Sequence, residues 1–166
     1  MEMYFLSRIW AELSAVFYTI LLVFGSSSLY AKTPTFQDYP AKKYAGENQP
    51  LKLNPHSQKY RTLFKEMSKQ KPNFAGHYVM DTVGCGGGCS FALAYNAKTG
   101  QSFILPDTFA DCYSEQKGFT QNDIVYQKDS RLVIAVGSRY GNQEVCETVY
   151  YQVDNDRFQQ ISKQLR

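Results

Sequence analysis

Histidine and tryptophan are scarce in this chain: two histidines, His56 and His77, and one tryptophan, Trp10, among 166 residues. A nucleophile that needs an imidazole base therefore has only two places to find one. His77, Asp81 and Cys85 share a strand face and look like a triad when written out. At about 3.3 Å per residue the first two stand ~13 Å apart and the outer two ~26 Å, against about 3 Å for a working pair. His77 is expected as a half-buried strand residue instead.

Other signatures are missing too. There is no Cys-x-x-Cys redox spacing and no Cys-x-x-Cys-His for haem. The Gly84-Cys-Gly-Gly-Gly-Cys89 segment is rich in glycine but leads into the strand-like Ser90-Phe-Ala-Leu-Ala-Tyr95. A phosphate cradle opens onto a helix whose N-terminus completes the anion site. Two thiolates three residues apart could share zinc, but Cys112 and Cys146 lie far from each other in sequence and make no second knuckle. No metal and no cofactor is expected. The chain also lacks a concentrated basic face: its net charge is +3, and the basic residues are scattered, which argues against a nucleic-acid partner.

What is present begins at the N-terminus. Leu13 to Gly25 is an uncharged apolar run followed by Ser26, Ser27 and Ser28. A membrane span needs about 20 apolar residues, and this run meets Glu12 and Arg8 when extended backwards. The expectation is a secretory signal, residues 1–31, cut after Ala31 or Ser28, leaving no stable membrane anchor. Its positive excess is weak, since Glu2 and Glu12 accompany Arg8. Removal would take Trp10 with it and leave about 135 residues, the size of one domain.

All four cysteines fall after the signal, and an even number in an oxidising compartment reads as disulfides. Four cysteines allow three connectivities. The expected one joins Cys85 to Cys89, across a turn of three glycines free to take positive φ, and Cys112 to Cys146.

Residues 32–55 hold four prolines and no apolar period, and are expected as an irregular lead-in to a single domain over 56–166. Tyr60, Leu63, Phe64 and Met67 then fall at helical spacing and are expected as one apolar stripe with Leu63 and Phe64 buried, with Ser57 as N-cap and Pro72 as the stop. The helix carries Lys59, Arg61, Lys65, Lys69 and Lys71 beside Glu66, and that charge is read as its wet face. After Pro72 the period changes to two. Seven strands are expected, over 77–84, 90–96, 101–105, 123–128, 131–137, 147–154 and 157–162, joined by short turns at 96–100, 128–130 and 154–156. The fold class is mainly β: an antiparallel meander or small sandwich of about seven strands with one N-terminal helix. A propeller would need more blades than this length allows.

Two connections are too long for tight turns, Pro106 to Asn122 and Ser138 to Val145, and loops of that size are often where binding happens. Their candidate binding residues are Asp107, Asp111, Tyr113, Glu115, Arg139, Tyr140 and Asn142.

With Asn73-Phe-Ala-Gly-His-Tyr78, Gly84-Cys-Gly-Gly-Gly-Cys89, Asn96-Ala-Lys-Thr-Gly100 and Asp129-Ser-Arg-Leu132 laid out, the chain resembles a group of small uncharacterised exported bacterial proteins. Their pattern is a Phe-Ala-Gly-x-Tyr strand, a Gly-Cys-Gly-x-x-Cys turn, a hairpin ending in Thr-Gly and a later Ser-Arg-Leu strand. The resemblance spans residues 73–137. It implies a shared fold and carries no activity or functional residue across.

The expected function is that of a periplasmic or secreted binding protein without catalysis, an inhibitor or immunity type acting on an envelope enzyme. The partner is then a protein of the envelope. The alternatives are a hydrolase whose active residues meet only in three dimensions, and a structural or assembly factor of the envelope.

Overall fold

The change of period after Pro72 is where the sheet begins. In the computed structural model residues 32–115, 118–139 and 145–166 are described, and the elements below lie in the unit Thr33–Arg166. The expected signal, 1–31, falls outside the described residues. So do Tyr140 and Asn142.

Ten strands are described: β1 (Tyr78–Gly86), β2 (Cys89–Asn96), β3 (Ser102–Ile104), β4 (Phe109–Ala110), β5 (Cys112–Ser114), β6 (Gly118–Thr120), β7 (Asp123–Tyr126), β8 (Leu132–Arg139), β9 (Glu147–Asp154) and β10 (Arg157–Leu165). The fold is mainly β and every strand pair is antiparallel, as expected. The seven expected strands are β1 to β3 and β7 to β10. The other three lie in Pro106–Asn122, which is therefore not a simple loop. They are only two or three residues long, too short to show a period.

Those short strands decide the topology. β1, β2 and β3 form one meander and β7 to β10 another. β4 pairs with both, setting Ala110 opposite Cys89 on one side and Ser138 on the other, so the two meanders become one sheet. β5 and β6 form a separate two-stranded hairpin.

The sheet curls on itself. Phe158 of β10, at one end of the strand order, lies 5.0 Å from the ring of Phe103 in β3 and 6.3 Å from that of Phe74 just ahead of β1. Strict alternation sends Met80, Ala92, Ala94, Val133, Ala135, Val149, Tyr151 and Val153 to the concave side, where they close one core. The opposite faces of β1 and β2 present Val79, Phe91, Leu93 and Tyr95 to a second core under the helix. β2 is thus buried on both faces, which is why Phe91 to Tyr95 is an unbroken apolar run.

The helical segment is a 3₁₀ turn (Gln58–Tyr60) leading into α1 (Arg61–Met67). It departs from the sequence expectation in three ways. Ser57 holds the N-cap position but makes no side-chain cap bond; just ahead of it Asn54 Oδ1 accepts the N–H groups of His56 and Ser57, both at 2.9 Å. Ser57 is wholly buried and its hydroxyl turns to Ser102 at 2.8 Å. The helix ends at Met67, well before Pro72. Leu63 is 36% exposed, while Phe64 and Met67 are buried. Successive helical residues are about 100° apart, so a seven-residue helix that points Phe64 and Met67 at a sheet leaves Leu63 at the margin.

The lead-in holds one 3₁₀ turn, Phe36–Asp38, and is tied down along its length. Ala41, Tyr44, Gln49 and Lys52 donate backbone hydrogen bonds to Asp129, Gly76, Ala97 and Gly100. Among the described residues no helix is long and apolar enough to cross a membrane.

Candidate binding surfaces at the two ends of the sheet

Cys85 pairs with Cys89 and Cys112 with Cys146, with Cα separations of 5.2 and 5.5 Å. Both bridges suit an oxidising compartment. Both lie at one end of the sheet. The first spans the β1–β2 turn, where Gly86, Gly87 and Gly88 all take positive φ. A side chain at Gly88 would be strained at φ +70° and would also strike the carboxylate of Asp111.

That contact fixes the root of the β5–β6 hairpin. Asp111 N–H donates to Gly88 O at 2.8 Å, and Asp111 Oδ1 accepts from Asn122 N–H at 2.8 Å and from Asn122 Nδ2 at 2.7 Å. Asn122 Nδ2 also donates to Gly88 O at 2.7 Å, and Ser90 Oγ donates to Asn122 Oδ1. Asp111 and Asn122 flank the hairpin, so these bonds clamp its two legs to the β1–β2 turn. The bonds from Asn122 hold the Asp111 carboxyl below its ordinary range. Beneath them Cys112 and Cys146, both buried, bolt β5 to the start of β9.

Above that root Tyr113 and Phe119 stand directly opposite each other, so they share one face of the hairpin. They are 66% and 68% exposed. Glu115 is exposed in the turn that follows β5.

Asp107 and Arg139, one from each long connection, do meet. Arg139 Nη1 lies 3.6 Å from Asp107 Oδ2, and Tyr151 donates its hydroxyl to that carboxylate. The guanidinium is shared further, with Nε on Glu147 Oε1, Nη2 on Glu147 Oε2 at 3.3 Å, and Nη1 on Gln160 Oε1 at 2.9 Å. Glu147 is only 5% exposed, and Lys163 Nζ approaches it at 3.7 Å. The hydrogen bond and charge of Glu147 raise the pKa of Arg139 despite partial burial. Burial, then Asp107, raises that of Tyr151, so its hydroxyl keeps its proton. Every member has a partner inside the cluster, which makes it a brace between the segment ahead of β4 and strands β8, β9 and β10.

The structure thus gathers Asp107 with Arg139, and Asp111 with the hairpin that carries Tyr113 and Glu115. Glu147, Tyr151, Gln160 and Phe119 were missed. Glu147 did leave a signal: a carboxylate opening an apolar strand beside a cysteine has to be paired.

The far end of β9 lies roughly 23 Å away, at about 3.3 Å per residue. There Asn155 and Asp156 form a two-residue turn with φ of 48° and 58°, which Asn and Asp tolerate better than other side chains. Asp156 accepts from Asn96 Nδ2 at 2.5 Å and from Thr99 Oγ1 at 3.4 Å, lashing the β9–β10 turn to the β2–β3 turn. His77 lies just ahead of β1, half-buried, its ring 4.1 Å from that of Tyr78. Burial, and next the charge of Lys98, lower its pKa, with Asp156 opposing.

Beside this turn is a cleft of about 570 Å³ lined by Asn54, His56, Lys59, β3 with Leu105 and Pro106, and Asp156 to Phe158. A smaller hollow of about 320 Å³ contains His77, Lys98 and Arg131. Among the described residues no group of three His, Cys, Asp or Glu is placed to hold a metal ion.

Comparison with protein-family models, with curated proteins and with solved structures gives no match.

Proposed function

We propose that this chain is an exported protein, freed of residues 1–31, that binds and restrains an enzyme of the bacterial envelope through its β5–β6 hairpin. The observation that carries the reading is the pair Tyr113 and Phe119, two large aromatic side chains held side by side in solvent. Aromatic anchors of this kind supply much of the energy of protein interfaces. Their support is rigid: the Cys112–Cys146 bond and the Asp111–Asn122 clamp hold the hairpin, so little freedom is lost on docking. The charged cluster behind it is consumed by its own internal pairs, which favours a scaffold over a hydrolase centre.

The test uses the oxidised protein as bait in periplasmic extract, beside the Tyr113→Ser, Phe119→Ser double variant. One enzyme is expected at equimolar yield on the wild type and absent from the variant, and its activity on its own substrate should fall when wild-type protein is added. Equal recovery on both baits, or an unaltered activity, overturns the proposal.

A further inference from the structure

The cleft at the other end of the sheet has a composition that selects its occupant. Phe103, Leu105 and Phe158 give it apolar walls, with the two phenyl rings 5.0 Å apart. Lys59 and Arg157 supply two permanent positive charges from separate segments, and His56 adds an imidazole. Among the described residues neither cation has a carboxylate partner; Lys59 Nζ instead lies 4.9 Å from the centroid of the Tyr60 ring. The one acid in the lining, Asp156, is already engaged by Asn96 and Thr99. Asn54 is spent as well, donating to Ser102 O at 2.7 Å and accepting from His56 and Ser57. The backbone adds a donor. Leu105 N–H bonds Ala92 O and Asn96 N–H bonds Gln101 O, so the antiparallel alternation turns Ile104 N–H away from β2 and toward the cleft.

We propose that this cleft binds a carboxylate carried on an apolar, preferably aromatic, body. The body lies against Phe103, Leu105 and Phe158 while Arg157 and Lys59 take the carboxylate. Guanidinium matches a carboxylate in a two-point fork, and charge-assisted bonds are about twice as strong as neutral ones. The volume of about 570 Å³ falls within the roughly 300–1,000 Å³ of small-molecule sites. Such a carboxylate could belong to a free aromatic acid or to the C-terminal residue of a peptide. The cleft shares no residue with the β5–β6 hairpin, so the proposal stands apart from the enzyme-restraining function.

The experiment is an amide-resolved NMR titration of the oxidised protein with three probes: 3-phenylpropionate, its uncharged amide, and the peptide acetyl-Gly-Gly-Phe with a free C-terminus. The acid should shift the amides of 103–106 and 156–158 and bind about tenfold more tightly than the amide, one charge-assisted contact's worth. Lys59→Gln and Arg157→Gln should each weaken it about three- to tenfold and together abolish it, with Lys98→Gln as an unaffected control. Tighter binding of the peptide than of the free acid would assign the natural carboxylate to a chain terminus, and the reverse to a small acid. Equal binding of acid and amide, shifts confined to other regions, or full binding by a double variant with wild-type melting would overturn the proposal.

Discussion

Where the β5–β6 hairpin stands out, the strands are tied by two disulfides, by the Asp111–Asn122 clamp and by a buried charge pair. At the other end they are tied by a two-residue turn of ordinary L-residues, one shared carboxylate and packed aromatic rings. The difference follows from what each end carries. The hairpin pairs only with itself, so nothing in the main sheet's hydrogen-bond ladder holds it, and covalent and charged contacts replace that ladder. The turn end already has two aligned hairpins closed over a core, and needs only their tips joined.

The sharpest way to break the comparison is to remove the bonds of the hairpin end. In the chain-entropy model the Cys112–Cys146 bridge, closing 34 residues of separation, contributes about 3–4 kcal/mol, and the Cys85–Cys89 bridge, closing 4, about 2. Urea unfolding of the two paired Cys→Ser variants should rank them in that order. An equal loss would mean that the hairpin end does not depend on its long-range bond.

A smaller effect should come from Arg139→Ala, which leaves Glu147 buried without its main partner. Breaking a buried pair costs about 3–5 kcal/mol, and Lys163 at 3.7 Å together with partial exposure of Arg139 brings the expectation to about 2–3. Lys163→Ala, losing an exposed partner, should cost under about 1 kcal/mol in the same unfolding measurement. Similar values for the two would reduce the cluster to surface charge.

The smallest effect belongs to the turn end and depends on pH. The folded protein holds His77 below its ordinary pKa of 6.5, chiefly by burial, so the unfolded chain takes up the proton first. Stability from this residue is complete above about 6.5 and falls as the pH drops through that value. Melting temperatures at about pH 7.5 and 5.5 should show a drop in the wild type that His77→Gln reduces. An identical drop in the variant would place the acid sensitivity elsewhere.

How far the residues spoke for themselves differs between these regions. The cysteine pairing was legible, because three glycines between Cys85 and Cys89 leave few other geometries and the remaining two cysteines then have only each other. The seven longer strands were legible because alternation over several residues outlasts local accident. Leu63 was misplaced, since a heptad-like spacing says which residues share a side and not which part of that side meets the sheet.

By itself, then, the sequence determined the local periods, the two-residue turn at Asn155–Asp156, the cross-links and the antiparallel class, all of them set by near neighbours along the chain. Only the tertiary structure decided that two residues, Phe109 and Ala110, weld two meanders into one sheet, that Asp107 and Arg139 meet over Glu147 and Tyr151, and that His56, Lys59 and Arg157 line one cleft. Those contacts join segments tens of residues apart. Each involves too few positions to leave a period, so they become visible only when the curl of the sheet has brought the segments together.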